Sequence, residues 1–182
     1  MIFSLLAITF VSAAAVGVVY RVTSGPIAAA KAENSQTSLR QVLPPFDNRP
    51  AENVRTVVVD GAEAKVYTAT SGDTVCGYAV ETLSRKGFGG EVVLMVGFKP
   101  DGEIVDIEVL GHKETQGLGD KIERGKSDFS VQFRGKNPAT FHLSVRKDGG
   151  DVDAITASTI SSRAYADAVN RAYLALKQVS NE

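Results

Sequence analysis

The start of the chain limits its fold more than any other feature. From Ile2 to Tyr20 no residue is charged, and the hydroxyls of Ser4, Thr9 and Ser12 are spread along an otherwise apolar run. At about 1.5 Å of rise per residue, a helix of that length crosses most of a hydrocarbon core roughly 30 Å thick. A cleaved signal peptide is the competing reading, and Ala28-Ala29-Ala30 resembles a cleavage site. The run is longer than the usual signal core and has no basic stretch before it, so a retained single-pass anchor over residues 1–22 is expected. Tyr20 and Arg21 would sit at the membrane interface. Arg21 and Lys31 follow the run, and the positive-inside rule taken alone would hold the rest of the chain in the cytoplasm.

After the anchor, a chain of 182 residues has room for one soluble domain of ordinary size. Residues 23–53 read as a connector, polar and helical over about 27–42, then broken by Pro44-Pro45-Phe46-Asp47-Asn48-Arg49-Pro50. Residues 54–182 read as the domain. Runs rich in Val, Ile, Tyr and Phe predict strands near 54–59, 64–69, 75–83, 92–98, 104–110 and 139–146. Gly61, Ser71-Gly72-Asp73, Lys99-Pro100-Asp101-Gly102 and Asp148-Gly149-Gly150 separate them as turns, with Asp101-Gly102 closing a hairpin. Residues 119–135 hold a short helix or a loop excursion. At the end, Ala164, Ala168, Ala172 and Ala175, with Val169, Tyr173 and Leu176, give a helix-period apolar face running to about Val179. The fold class is therefore α+β, an antiparallel sheet with helices packed on it, preceded by one transmembrane helix.

Charge excludes several function classes. Lys and Arg number 20 against 21 Asp and Glu, without a basic patch or basic–aromatic interleaving, which argues against nucleic-acid binding. Cys76 is the only cysteine, so this chain alone holds neither an iron–sulfur cluster nor an internal disulfide. It lies in an apolar alternating run and reads as a small core residue. His112 and His142 are far apart and lack a cysteine partner, so no metal site is expected, and His142 reads as a strand histidine. Gly125-Lys126-Ser127 mimics the end of a P-loop, but the upstream glycine would fall at Asp120. Hydroxyls are plentiful without a nearby base, which removes a serine-hydrolase reading.

Those hydroxyls concentrate in Asp153-Ala-Ile-Thr-Ala-Ser-Thr159-Ile-Ser-Ser-Arg-Ala-Tyr165, where an extended segment hands over to the last helix. Thr156, Ser158, Thr159, Ser161 and Ser162 are more than one N-cap needs. A helix start presents free N–H groups and a positive dipole end, both suited to a phosphate. The run resembles the flavinylation motif of the FMN-binding domain found in the G subunit of Rnf electron-transport complexes and the C subunit of sodium-pumping quinone reductases. That motif reads Asp-x-x-Ser/Thr-Gly-Ala-Thr, then a residue, then Ser or Thr. Asp153, Thr156 and Thr159 occupy its acidic, first-hydroxyl and acceptor positions, and Ser161 follows. Ala157 stands where glycine is usual, and Ser158 where alanine is usual.

A second segment, Gly111-His-Lys-Glu-Thr-Gln-Gly-Leu-Gly-Asp-Lys-Ile122, resembles the same family's His-x-Glu-Thr-Pro-Gly-Leu-Gly loop, with Gln116 in place of proline. Gly117 and Gly119 free the backbone to approach a planar ligand, Leu118 offers an apolar face, and Glu114 and Thr115 offer hydrogen bonds at the rim. Lys86-Gly-Phe-Gly-Gly-Glu and Phe98-Lys-Pro-Asp-Gly-Glu also match, so the similarity covers most of residues 54–177 together with the anchor.

The resemblance implies FMN joined through its phosphate to Thr159 by a phosphoester that a separate flavin transferase makes. Thr156, Ser158, Asp153, Glu114, Thr115, Gly117, Leu118 and Gly119 would surround the cofactor. It further implies an electron-carrying subunit of an ion-translocating complex linking ferredoxin and NAD, assembled with other subunits in the inner membrane, its domain on the periplasmic side. The C subunit of a quinone reductase shares the motif but is usually longer. A membrane-tethered binding domain with an empty flavin site, or a secreted enzyme with free FMN, are readings of other classes.

Overall fold

The computed structural model describes residues 2–180, with the side chains at positions 4, 7 and 27–34 left aside. It divides into two compact units, one up to Gln36 and one from Thr37 onward. Helix α1, Ile2–Val42, supplies the first unit and the opening of the second. Within the first, Ile8–Pro26 is long and apolar enough to span a membrane, and none of it is buried by protein. Thr9 donates to the Leu5 carbonyl at 2.7 Å and Thr23 to the Val19 carbonyl at 2.8 Å. Those hydroxyls are thereby satisfied inside the helix, as a hydrocarbon surrounding requires.

The second unit is built on an antiparallel sheet of five strands in sequence order: β1 Val54–Val59, β2 Ala62–Ser71, β3 Thr74–Ser84, β4 Val92–Phe98 and β5 Ile104–Gly111. The turns are the expected ones. Asp60 and Gly61 both take left-handed φ (47° and 75°), which suits a tight hairpin between β1 and β2. Gly102, at φ 86°, lets Lys99 pair with Glu103 and close β4 onto β5. Helix α2, Thr159–Ser180, lays Ala164, Ala168, Ala172 and Ala175 against one face of the sheet. These short side chains bring the helix close, and Val169 and Leu176 complete a core with Val66, Val80, Val96 and Phe98.

The opposite face has its own cover. Leu39, Val42 and Leu43 pack on Tyr67, Ala69, Ala79 and Met95, with Phe46, Cys76 and Leu110 around them. Parity explains the two layers: along β3, Val80 faces α2 and Ala79 faces the α1 end. Buried from both sides, β4 (Val-Val-Leu-Met-Val-Gly-Phe) is apolar almost throughout, which is why it does not alternate. Asp47 and Asn48 then continue along β2 beyond the reach of β1. Asp47 N donates to the Thr70 carbonyl at 3.0 Å, and Asn48 exchanges side-chain bonds with Thr68 and Thr70 at 2.9 and 3.1 Å.

One expected strand is absent. Residues 139–146 do not join the sheet; they form a folded-back loop bridged to the following chain where Val145 meets Val152. Its amides bond locally, Ser144 N to the His142 carbonyl at 2.8 Å and Val152 N to the Ser144 carbonyl at 3.0 Å. Phe141, Leu143 and Val145 still turn toward the core, which imitates the period of a strand. His142 is consequently exposed rather than a strand histidine, its ring 83% accessible.

Gly97 shows how tightly the α1 end seats. A Cβ there would collide with the Val42 carbonyl, and one at Gly77 would stand 2.9 Å from the Phe98 carbonyl and 3.2 Å from a Leu43 methyl. Gly97→Ala is expected to lower stability by about 1–3 kcal/mol through overpacking, read by urea unfolding of the soluble portion. A fragment starting at Thr37 should melt cooperatively, whereas one starting at Val54 should bind a hydrophobic dye and melt earlier. Equal melting of the two fragments would show that this cover is dispensable.

Candidate functional site

The turn before α2 is built from hydroxyls. Ser162, fully buried, donates to the Ser158 carbonyl at 3.0 Å, while its oxygen accepts the Ile155 amide at 2.9 Å. Ser158 N bonds the Ile155 carbonyl, and Ser162 N begins the helical ladder on the Ser158 carbonyl, both at 3.0 Å. The Thr159, Ile160 and Ser161 amides precede that first rung, so they form the free positive end of the helix. Closing the turn forces Ala157 to φ 63°, a left-handed conformation that costs a residue with a Cβ about 1–2 kcal/mol. The Gln132 amide holds the incoming chain at two points, accepting Asp153 N at 2.7 Å and donating to the Asp153 carbonyl at 3.1 Å.

Two glycine-rich loops meet this turn. In 112–119, Gly117 at φ 76° lets Leu118 N and Asp120 N both reach the Thr115 carbonyl at 3.2 Å. Glu114 points inward and is 6% exposed. Its Oε1 accepts Gly89 N at 2.9 Å, from the loop between β3 and β4, and its Oε2 accepts the Ser161 hydroxyl. Glycines make room for it: a Cβ on Gly87 would lie 2.6 Å from Oε1, and one on Gly119 2.8 Å from Oε2.

His112 sets the loop's base. Its Nδ1 accepts Glu114 N at 3.0 Å, which leaves Nε2 to face Glu123 Oε1 at 2.6 Å. That contact, reinforced by Lys126, holds the Glu123 carboxyl below the usual carboxylate range. Asp120 is held low in the same way, first by its bond with Lys126.

Between the loops and the helix start lies a pocket of about 340 Å³. Glu114, Thr115, Leu118, Gly119, Ser158 and Thr159 line it, so residues from two distant motifs converge. Three further candidates stand outside the lining. Gly117 shapes the loop, Thr156 is exposed in the turn, and Asp153 is exposed and paired with Arg146 at 2.6 Å. Phe88, Ala157, Ile160 and Ser161 also line the pocket; Ala157 and Ser161 belong to the motif at the helix start, whereas Phe88 and Ile160 lie beyond the site residues that the sequence points to. A signal for Phe88 exists: it is a lone aromatic among Gly87, Gly89 and Gly90, and it is 71% exposed. With Leu118 at 45% and Ile160 at 46%, it gives the pocket an apolar mouth.

Comparison with known proteins agrees with the geometry. The chain is 39% identical over 169 residues to the G subunit of the ion-translocating oxidoreductase complex of Cereibacter sphaeroides, covering 90% of this chain and 77% of that protein. The chain belongs to the family of these G subunits. Within it, the G subunit from Erwinia tasmaniensis is 35% identical over 175 residues, 91% of this chain and 83% of the relative. The one from Shewanella oneidensis is 42% identical over 109 residues, 58% and 51% respectively. A family model of an FMN-binding domain matches residues 87–174, from the Gly87 loop into the last turns of α2.

The residues present fit FMN. The apolar mouth suits a flat ring, the free amides at the start of α2 suit a phosphate, and glycines remove the side chains that would fill the cradle. Of the two neighbouring hydroxyl residues, Ser158 is buried at 6% exposure, whereas Thr159 is only half-buried.

Ala157 gives a direct test of the turn. Ala157→Gly removes the Cβ from a left-handed position and is expected to stabilise the domain by about 1 kcal/mol, raising its melting temperature by about 3 °C. A fall in melting temperature on scanning calorimetry would mean that the turn is not left-handed at this residue.

Proposed function

We propose that this chain is the flavoprotein subunit of a membrane-bound, ion-translocating electron-transport complex of the Rnf type, relaying electrons through FMN joined by a phosphoester to Thr159. The observation that carries the reading is the half-exposed Thr159 at the free N-terminus of α2, facing the same pocket as the glycine loop. The relatives are named as G subunits of an ion-translocating oxidoreductase complex, which favours this assembly over a quinone reductase. The other subunits of such a complex would be its partners, and a flavin transferase its maturation enzyme.

The flavin supplies the electron chemistry when bound; the protein's part is placement. Amides of Thr159, Ile160 and Ser161 would receive the phosphate, and the Thr159 oxygen would carry the bond. Leu118, Phe88 and Ile160 would offer the ring apolar contacts, and the open mouth would leave it accessible to partners. A covalent tether keeps a partly exposed cofactor from dissociating, which an open pocket of this kind would otherwise permit.

Thr159→Val keeps the shape of the side chain and removes the reacting oxygen. Co-produced with a flavin transferase, it should lose all in-gel flavin fluorescence after denaturing electrophoresis, while Ser158→Ala keeps it. The reverse pattern would move the bond to Ser158, and a wild-type protein without adduct by mass spectrometry would leave the empty-site reading.

The anchor's orientation is a separate part of the proposal: the domain lies on the periplasmic side. Lys177 is exposed on α2. Lys177→Cys in a Cys76→Ser background should therefore react with a membrane-impermeant maleimide in cells whose outer membrane alone is permeable. Labelling only after the inner membrane is lysed would place the domain in the cytoplasm, as Arg21 and Lys31 suggest by charge.

A further inference from the structure

Glu114 is a carboxylate without a cation. Both its oxygens accept hydrogen bonds, from the Gly89 amide at 2.9 Å and from the Ser161 hydroxyl, and both donors are neutral. Among the described residues, no Lys, Arg or His lies within ion-pair distance of it; the neighbouring cation Lys126 is taken by Asp120 and Glu123. Gly87 and Gly119 pack closely around it: a Cβ on either would stand 2.6 or 2.8 Å from its oxygens. A buried charge with only neutral partners is costly to keep, so its retention at the floor of a pocket calls for a reason beyond packing.

We propose that Glu114 is the potential-setting residue of this site, a fixed negative charge that disfavours the electron-rich form of the ring bound above it. The inference rests on the reading that FMN occupies this pocket. Glu114 lines that pocket and is itself only 6% exposed, so water screens it little. In such surroundings a like charge acts more strongly than it would in water. Reduction adds electron density to the ring, so the nearby carboxylate opposes reduction and holds the midpoint potential down. Ser161 moderates the effect, since its hydroxyl donates to Oε2 and draws off part of the charge. The two residues therefore act in opposite senses.

That opposition separates an electrostatic role from a merely structural one. Glu114→Gln keeps the shape: the amide oxygen accepts from Gly89, and the amide nitrogen donates to a rotated Ser161 hydroxyl. Ser161→Ala keeps the charge and removes its donor. The full chain, loaded with FMN by co-production with a flavin transferase, is titrated in detergent with redox mediators and followed by its visible spectrum. Dithionite supplies the electrons and the buffer the protons. Glu114→Gln should move the midpoint potential positive by at least a tenfold change in the oxidised-to-reduced equilibrium, about 30 mV for a two-electron couple. Ser161→Ala should move it negative. Shifts in the same direction, or no shift in Glu114→Gln, overturn the proposal. If Glu114→Gln does not fold, a positive or absent shift in Ser161→Ala overturns it alone. Leu118→Asp keeps the two possible failures apart. A changed flavin spectrum in that variant with an unmoved potential in Glu114→Gln rejects only the role of Glu114. No change in either variant shows that the flavin is elsewhere and rejects the pocket.

Discussion

The Glu114 carboxylate is the point on which the site depends. It joins the 112–119 loop to Gly89, at the turn between β3 and β4, and to Ser161, in the first turn of α2. Those partners lie 25 and 47 residues away in sequence. The sheet and helix bring the three segments near one another; the carboxylate sets their distances. A second tie runs alongside, from Ser84 and Lys86 to Asp167, each at 2.6 Å, so the Phe88 loop is held at its root as well as near its tip. Phe88 is left free between two fixed ends, where its exposure serves the pocket rather than the core.

What the sequence revealed follows from how local each signal is. The β4–β5 hairpin and the turn at Gly61 were readable because Asp101-Gly102 and Gly61 encode their own geometry. Helix α2 was readable because its alanine face repeats over about three turns, and the two motifs stand out in the sequence as strings of unusual residues that the fold brings to one pocket. The misread strand at 139–146 failed for a tertiary reason: Phe141, Leu143 and Val145 alternate because they reach one core from a folded-back loop, not because they lie in a ladder. The role of residues 37–48 was hidden for a similar reason. Their polar composition suggested a linker, yet Leu39, Val42 and Leu43 cover the outer face of β2 to β4. The inward turn of Glu114 was also out of reach, since a motif gives a residue's type and not its direction; expected at the rim, it lies in the floor.

Ala157 links the motif to its physics. The family pattern has glycine there, and the structure puts that position at φ 63°, where glycine carries no penalty. The alanine is tolerated because the turn is over-determined by the bonds of Ser162 and Gln132 on either side of it. The same bonds leave Thr159 half-buried and draw Ser158 inward, so a sequence that offers two adjacent hydroxyls presents them unequally.

The contact between Val42 and Gly97 has a mechanical meaning. Residues 37–43 rest on the outer face of the sheet, whereas α2 and its Thr159 belong to the inner face. Any tug arriving along the chain from its N-terminal side is delivered to β4, a strand hydrogen-bonded to a neighbour on each side and gripped above and below. Val42 meets β4 at Gly97, the end of the strand away from the Gly87–Gly90 loop and from Gly111, so that load enters the domain at the far end of the strand from the pocket loops.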